Sequence, residues 1–144
     1  MNILLLTSSF CERSHSSALA QGAASYLRNT NIESLDVAVK PPPFYNRDLH
    51  ASLTEAPDAD NEAANAARFL SDKYVNQLLK ADALILGVPM HHFGIPGQLQ
   101  AWMDQVARAG VTFEYTAAGA PNGLVKIPAL IVASSGGVYK GTPW

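Results

Sequence analysis

The sequence predicts an α/β protein with a parallel sheet and helices on both faces. Three observations support this: four short aliphatic runs, amphipathic segments between them, and the absence of an internal repeat. Short uninterrupted aliphatic runs are typical of strands that are buried on both faces. Strands that alternate with helices favour right-handed crossovers between parallel neighbours. A chain of 144 residues fits one domain, which we expect to cover residues 1–144.

The first strand, helix and second strand are predicted within the first 43 residues. "NILLL" (2–6) predicts the first strand, and residues 17–29 predict a helix because their apolar side chains recur at helical spacing. The serines just before this helix can cap its first turn. "IESLDVAV" (32–39) predicts the second strand, which ends before the prolines at 41–43 because proline cannot donate to a ladder.

The rest of the chain repeats this alternation. Residues 44–61 have no periodicity and predict a loop, whereas residues 62–82 predict a long amphipathic helix. "ALILGVP" (83–89) predicts the third strand, and residues 98–110 predict the helix that follows it. A Gly/Ala/Pro-rich stretch at 116–123 predicts a second loop, and "KIPALIVASSGG" then supplies the fourth strand and a loop of small residues.

Composition and charge argue against several classes of function. The formal net charge is −2, so the chain lacks the basic excess of a nucleic-acid-binding protein, and we expect no nucleic acid partner. The single Cys11 cannot form an intrachain disulfide, and the N-terminus lacks the basic flank of a secretory signal. We therefore expect a cytoplasmic protein. No apolar run approaches the ~18 residues of a spanning helix, so membrane insertion is not expected.

Serines cluster in "SSFCERSHSS", between the first predicted strand and the first predicted helix. Open parallel sheets bind ligands beyond the carboxyl ends of their strands, where this segment lies. Hydroxyls and free N–H groups at a helix N-terminus bind phosphate, although simple capping would need only one or two of these serines. Neither a G-x-G-x-x-G nor a P-loop motif is present, which favours a mononucleotide phosphate.

Two adjacent histidines, His91 and His92, follow the third predicted strand in "PMHHFGIP". Backbone groups can bond the heteroatoms of a flat ring while Met90 and Phe93 cover it, which favours a planar cofactor. Adjacent histidines do not converge on a metal, and no neighbouring Cys or carboxylate completes a ligand set, so we predict no metal site. Loop histidines without a role remain an alternative.

The fourth predicted strand runs into "ASSGG". Paired glycines let a backbone approach a ligand closely, but they also simply end strands. Cys11 has no basic partner that the sequence identifies, and no G-x-S-x-G motif indicates a serine hydrolase. We therefore predict no catalytic side chain.

From its first to its fourth strand the chain resembles the FMN-dependent NADH-azoreductases, also described as FMN-dependent NADH:quinone oxidoreductases. The most specific stretch is "QLQAWMDQVARAGVTFEYTAAGAPNGLV", whose "ARAGVTFEYT…G…GLV" portion is similar to the family signature. The resemblance implies a flavodoxin-like three-layer sandwich and a homodimer that binds FMN. It also implies reduction by NADH or NADPH and small quinone or azo acceptors. A flavodoxin-type electron carrier and an inactive FMN-binding or dimerisation remnant are the alternatives.

The resemblance also implies which residues bind the cofactor. In the family, serines after the first strand hold the FMN phosphate, the loop after the third strand lines the isoalloxazine ring, and the loop after the fourth contacts the opposite part of the flavin. The corresponding residues here are Ser9, Ser14, His15 and Ser16, then Met90, His91, His92 and Phe93, and finally Ser134, Ser135, Gly136 and Gly137. Phe113 and Tyr115 are expected either to wall the acceptor pocket or to pack at a dimer contact.

The chain departs from the family in side chains and in length. The family often has Tyr and usually Asn where this chain has His91 and His92, and often Arg where it has Ser135. Contacts of those family side chains therefore do not carry over. Family members have about five strands, in the flavodoxin-like order, so we expect the usual fifth strand and last helices to be missing. The fourth strand would then lie at an edge, with one face of the sheet uncovered.

Overall fold

The computed structural model describes residues 1–54, 60–139 and 141, and its elements alternate as the sequence predicts. Its strands are β1 (Asn2–Thr7), β2 (Asn31–Asp36), β3 (Ala83–Pro89), β4 (Phe113–Tyr115), β5 (Pro121–Gly123) and β6 (Ala129–Ser134). Its helices are α1 (His15–Tyr26), α2 (Arg47–Thr54), α3 (Glu62–Lys80) and α4 (Gly97–Val106). The main sheet has the order β2-β1-β3-β6 and all of its pairings are parallel.

The central strand β1 carries the apolar centre of the sheet. Four consecutive residues, Ile3 to Leu6, are each at most 5% exposed, as expected of a strand covered on both faces. Leu6 pairs with Leu35 of β2 on one side and with Leu86 of β3 on the other. The buried aliphatic run therefore explains why β1 lies in the middle of the sheet.

Two hydrophobic clusters make the molecule three-layered. On one face, Leu4 and Leu6 pack with Val75 of α3 and Trp102 of α4. On the other face, Ile3, Leu5 and Ile85 pack against α1, which contributes the small side chains Ala20 and Ala24. This confirms the predicted flavodoxin-like sandwich with its four-stranded parallel sheet.

The prediction of a loop over residues 44–61 is wrong in part, because residues 47–54 form the helix α2. Asn46 starts this helix by accepting the Leu49 N–H through Oδ1 at 2.9 Å. Leu49 is the only residue of α2 that is buried. One buried residue in two turns leaves no repeat from which a helix can be recognised. The remainder of the predicted loop lies partly outside the described residues, at 55–59.

Two predicted elements end earlier than expected because side chains cap them. β2 stops at Asp36, not at residue 39, since Asp36 Oδ1 accepts the N–H groups of Ala38 and Val39 in a turn. α4 stops at Val106, not at residue 110, since the Thr112 hydroxyl donates to the Val106 carbonyl at 2.6 Å. The ends of β2 and α4 each depend on one polar side chain, which the pattern of hydrophobic residues does not reveal.

The predicted loop over 116–123 is also wrong in part, since it contains β5, which pairs antiparallel with β4. A partly buried ion pair links the turn that precedes this hairpin to α3. The Arg108 guanidinium donates to Asp72 of α3 at 2.6 Å and to the Ser71 hydroxyl at 3.2 Å. The Thr112 carbonyl accepts the Leu124 N–H, which ties the far end of the hairpin to the same turn.

The last strand, β6, lies at an edge of the sheet as expected. Two of its apolar side chains, Leu130 and Ile131, are 47% and 62% exposed. These two consecutive side chains point to opposite faces of the sheet, so both faces are partly uncovered at this edge, where only one was expected to be. None of the helices in the described residues is both long enough and apolar enough to cross a membrane.

The burial contrast between β1 and β6 leads to a stability prediction. Replacing Leu6 with Ala removes a side chain that is 0% exposed, so the free energy of unfolding should fall by about 2–5 kcal/mol. Replacing Ile131 with Ala on exposed β6 should lower it by less than about 1 kcal/mol. Urea denaturation of the two variants checks this, and equal losses would contradict the central position of β1.

Candidate functional site

Three loops meet at the carboxyl end of the sheet: a first loop (8–14), a second loop (90–96) and a third loop (135–139). The register places Thr7 beside Gly87 and Pro89 beside Ser134, so the strands preceding the loops end side by side. The Ser8 hydroxyl donates to the Gly87 carbonyl at 3.1 Å. The Met90 N–H donates to the Ser134 carbonyl at 2.7 Å. The sheet therefore brings together all three segments that the sequence singled out.

The predicted phosphate-binding serines Ser9, Ser14 and Ser16, here called the serine cradle, lie at the N-terminus of α1. Ser14 caps the helix, which begins at His15 and not at residue 17, by accepting the Ser17 N–H at 3.1 Å. The Oγ atoms of Ser14 and Ser16 lie 3.1 Å apart. The first-turn N–H groups of a helix lack helical partners, and the helix dipole favours an anion there.

An open cavity of about 330 Å³ adjoins the serine cradle. Ser9 and Ser14 line it on one side, together with exposed Cys11. Two carboxylates, Glu12 and Asp36, line the same cavity. The hydroxyls and first-turn N–H groups would attract an anion here, and the two carboxylates would oppose it. His15 is exposed at the first position of α1, next to this opening.

The second loop turns back on itself at the two residues after His91. The N–H groups of His91 and Gly94 each donate to the other's carbonyl, at 3.0 and 2.9 Å. Between them, His92 and Phe93 have φ angles of 50° and 61°, the left-handed pattern of a type I′ turn. Asn and His tolerate positive φ better than most residues, whereas a bulky Phe does not. The backbone conformation alone therefore favours Gly, Asn or His at position 92.

Aromatic contacts join the second loop to both of its neighbours. The rings of Phe10 and His91 have centroids 5.2 Å apart with a tilt of 30°. The rings of Phe93 and Tyr139 meet edge to face at 5.6 Å. Sequence reasoning missed Phe10 and Tyr139, whose aromatic character within polar or small-residue loops was the available signal.

An apolar cavity of about 350 Å³ lies between the second and third loops. Met90, Phe93 and Ile95 line it from the second loop, and Ala133 and Ser134 line it from the end of β6. Its lining is mainly aliphatic and aromatic with a few polar groups, which is typical of sites for small planar ligands.

The third loop contains two glycines at positions where the folded chain would accept a side chain. Neither Gly136 nor Gly137 has a positive φ. A Cβ built at Gly136 would meet nothing within 4 Å, and one at Gly137 would meet the Tyr139 ring at an ordinary 3.5 Å. The Ser135 hydroxyl donates to the Gly137 carbonyl at 2.7 Å, which folds the loop. The lack of side chains here is thus explained by neither turn geometry nor crowding, and a closely approaching ligand would explain it.

Phe113 and Tyr115 lie on β4, outside the three loops, with their rings edge to face at 5.4 Å. No cluster of three or more His, Cys, Asp and Glu within the described residues could hold a metal ion. The arrangement can therefore bind an anion at one end and a flat apolar group at the other. FMN has these two parts, a phosphate and a fused ring, so the residues present fit it.

The full chain, residues 1–144, matches a family model described as a flavodoxin-like fold. The chain belongs to the flavodoxin-like fold family. A relative from Bordetella petrii, named FMN-dependent NADH:quinone oxidoreductase, is 39% identical to this chain. That alignment covers 98% of this chain and 70% of the relative. The family predicted from the sequence is confirmed.

Other members of the family agree in sequence and in structure. A protein of the same name from Azotobacter vinelandii is 41% identical over 80% of this chain and 58% of its own length. The crystal structure of an azoreductase from Bacillus anthracis str. Sterne has a TM-score of 0.86 at 28% identity. The structural alignment covers 99% of this chain and 73% of the azoreductase chain. The chain thus spans between 58% and 73% of these three proteins.

The left-handed turn of the second loop can be tested by substitution at His92. A β-branched residue is strongly disfavoured at positive φ, so His92→Val should lower the free energy of unfolding by about 1–2 kcal/mol. His92→Asn should change it by less than about 0.5 kcal/mol, because Asn adopts this conformation readily. Urea denaturation of the ligand-free chain measures both, and indistinguishable variants would rule out the left-handed conformation.

Proposed function

We propose that this chain is an FMN-dependent oxidoreductase that transfers hydride equivalents from NADH or NADPH to quinones and azo compounds. Three adjacent loops bring the serine cradle and the apolar cavity together, and this observation is the main support for the proposal. The relatives named FMN-dependent NADH:quinone oxidoreductase and the azoreductase structure support it. Residues 1–144 then act as one FMN-binding domain.

The serine cradle and the first-turn N–H groups of α1 would hold the FMN phosphate. This position needs no lysine or arginine, because hydroxyls, N–H groups and the helix dipole supply the attraction. His15, at the first position of α1, would border the phosphate. The four residues Met90 to Phe93 would line the flavin ring, and the loop from Ser134 to Gly137 would contact its other part.

Bound FMN supplies the hydride chemistry, and the chain binds and orients the reacting rings. Met90 and Phe93 provide apolar cover that excludes water from the ring. Backbone N–H groups of the second and third loops, other than those of Met90, His91 and Gly94, which donate within the chain, would stabilise the negative charge of the reduced ring. The acceptor takes up a proton with each hydride, and solvent can supply it, so no side chain has to donate or remove a proton in this scheme.

Two further features are part of the proposal. The first is a homodimer, to which the exposed Tyr115 and its neighbour Phe113 on β4 would contribute a contact or a wall of the acceptor pocket. The second is a cytoplasmic location, which is where NADH is available and where a lone, exposed Cys11 remains reduced.

The proposal is tested by purifying the chain, recording its absorbance spectrum, titrating it with FMN and mixing the complex with NADH in a stopped-flow instrument. We expect saturable FMN binding, a higher Tm with FMN and bleaching of the flavin absorbance by NADH on the timescale of turnover. FMN binding without bleaching would favour a flavodoxin-type electron carrier. Neither FMN binding nor stabilisation by FMN would favour a remnant without turnover.

Close approach of FMN to the third loop predicts the effect of Gly137→Val. A β-branched side chain in this loop would hinder that close approach, so FMN affinity should fall at least about tenfold. The stability of the ligand-free chain should change by less than about 1 kcal/mol, because a Cβ there makes only ordinary contacts.

Fluorescence quenching of FMN and urea denaturation measure the two effects of Gly137→Val. The control is Gly123→Val on β5, where a Cβ meets nothing within 4 Å and which lies outside the three loops. The control should leave FMN affinity unchanged. Equal losses of affinity and stability in Gly137→Val would mean that this glycine serves only the turn.

A further inference from the structure

Buried polar side chains tie α4 to α3 and to the loop that follows β2, here called the β2–α2 loop (37–46). The buried Ser71 hydroxyl donates to the Gln105 carbonyl at 2.7 Å and accepts from Arg108 at 3.2 Å. The Gln105 side chain, which is 1% exposed, donates through Nε2 to the Pro43 carbonyl at 3.0 Å. A buried amide on α4 therefore holds the β2–α2 loop.

The fold alone does not explain the amide of Gln105. Its Oε1 is buried and has no partner within the described residues, where the other such atoms are Oε1 of Gln77, Nε2 of His91 and the indole N–H of Trp102. A buried polar group that stays unpaired is less favourable than an apolar side chain of similar shape. The hydrogen bond to the β2–α2 loop is thus the feature of Gln105 that an apolar residue could not supply.

This hydrogen bond places the β2–α2 loop along one face of α4. Gly97 and Gln105 are eight residues apart in the helix and so lie on the same face. The Phe44 ring lies at the N-terminal end of this face, where a Cβ at Gly97 would be 3.8 Å from its Cε1. Because Gly97 directly follows the second loop, the Phe44 ring lies beside the end of that loop.

The Phe44 ring is held in position without being buried, since the residue is 69% exposed. Ile95, two residues before Gly97, lines the apolar cavity between the second and third loops. Phe44 therefore lies near the mouth of this cavity and outside it. Exposed apolar side chains that gather beside a binding cavity are typical of a surface that contacts a ligand.

We propose that Phe44 contacts the aromatic acceptor, and that Gln105 is the residue that positions Phe44. This deepens and rests on the proposed function, in which quinones and azo compounds receive the hydride. With FMN in the apolar cavity, an acceptor of two or more rings extends past the mouth, where an exposed aromatic ring can stack on it. Fixing the β2–α2 loop in advance reduces the conformational entropy that is lost when the acceptor binds.

Removal of the aromatic ring in Phe44→Ala should discriminate between acceptors by size. The KM for a two-ring quinone, menadione, should rise by about 3- to 10-fold because a stacking contact is lost. The KM for the one-ring p-benzoquinone should change by less than about twofold, since this molecule does not reach past the mouth. The FMN dissociation constant and the limiting rate of flavin bleaching by NADH should stay at parental values.

Gln105→Met keeps the size of the side chain and removes the amide, so it should act in the same direction as Phe44→Ala. We expect the ratio of the KM values for menadione and p-benzoquinone to rise at least about twofold, because the loop is no longer tethered. If Gln105 serves only the fold, its loss should lower the Tm and leave this ratio unchanged.

Steady-state kinetics with saturating FMN and NADH measure both KM values in the parent chain and in the two variants, and the Tm is recorded for each. The matched control is Phe69→Ala on α3, at another exposed phenylalanine that lies outside the β2–α2 loop and the three loops. This control should keep the parental ratio. Because Phe44 is exposed, Phe44→Ala tests the contact even if Gln105→Met fails to fold.

A parental KM ratio in Phe44→Ala overturns the acceptor contact, provided that the parent chain reduces quinones. A raised ratio in Phe44→Ala together with a parental ratio in folded Gln105→Met overturns the positioning by Gln105. A parent chain whose flavin is not reduced by NADH contradicts the proposed function itself, so that failure is distinguishable from the other two.

Discussion

The close contact between α1 and β3 is the constraint on which the candidate site depends. A Cβ at Gly87 would lie 3.0 Å from the Ser16 carbonyl and 3.2 Å from the Ala20 Cβ, so only glycine lets the helix settle this near to the sheet. The same contact fixes the height of the helix N-terminus above the strand ends. Ser14 and Ser16 thereby come to lie beside the loop that follows β3. Moving α1 outward would separate the two halves of the site while leaving the sheet itself intact.

In the second loop, backbone geometry explains a residue preference that could otherwise be attributed to a side-chain contact with the ligand. In the family the position of His92 is usually Asn, which invites the interpretation that its amide binds the ligand. The left-handed φ of 50° gives a simpler reason, because Asn and His both tolerate that conformation. Phe93 adopts a φ of 61° without such tolerance, and its ring is 72% exposed. The paired hydrogen bonds of His91 and Gly94 hold Phe93 in this strained conformation, with its ring exposed.

Sequence patterns predicted the parts of this fold that depend on repeated burial. The buried run from Ile3 to Leu6 and the amphipathic repeat of α3 are such parts. The alternation of strands and helices also predicted which loops lie together at one edge of the sheet. The patterns failed where a single side chain decides the outcome: Leu49 for α2 and Thr112 for the end of α4. The contacts of Phe10 with His91 and of Phe93 with Tyr139 could not be predicted either. They join residues about 80 and 46 positions apart, and no local pattern reports such pairs.

Several unfavourable features of this chain lie in the three loops, where a ligand would offset them, although others lie elsewhere, such as the left-handed Asn29 and the unpaired indole N–H of Trp102. Two left-handed non-glycine residues, an unpaired imidazole nitrogen and two glycines without a local requirement all occur in the three loops. Each lowers the stability of the ligand-free chain by an amount on the order of 1 kcal/mol. The centre of the sheet shows the opposite behaviour, with apolar side chains packed and paired on both sides of β1. Local costs of this kind in loops beside the packed centre of a sheet are expected where binding, as well as folding, determines which residues stand there.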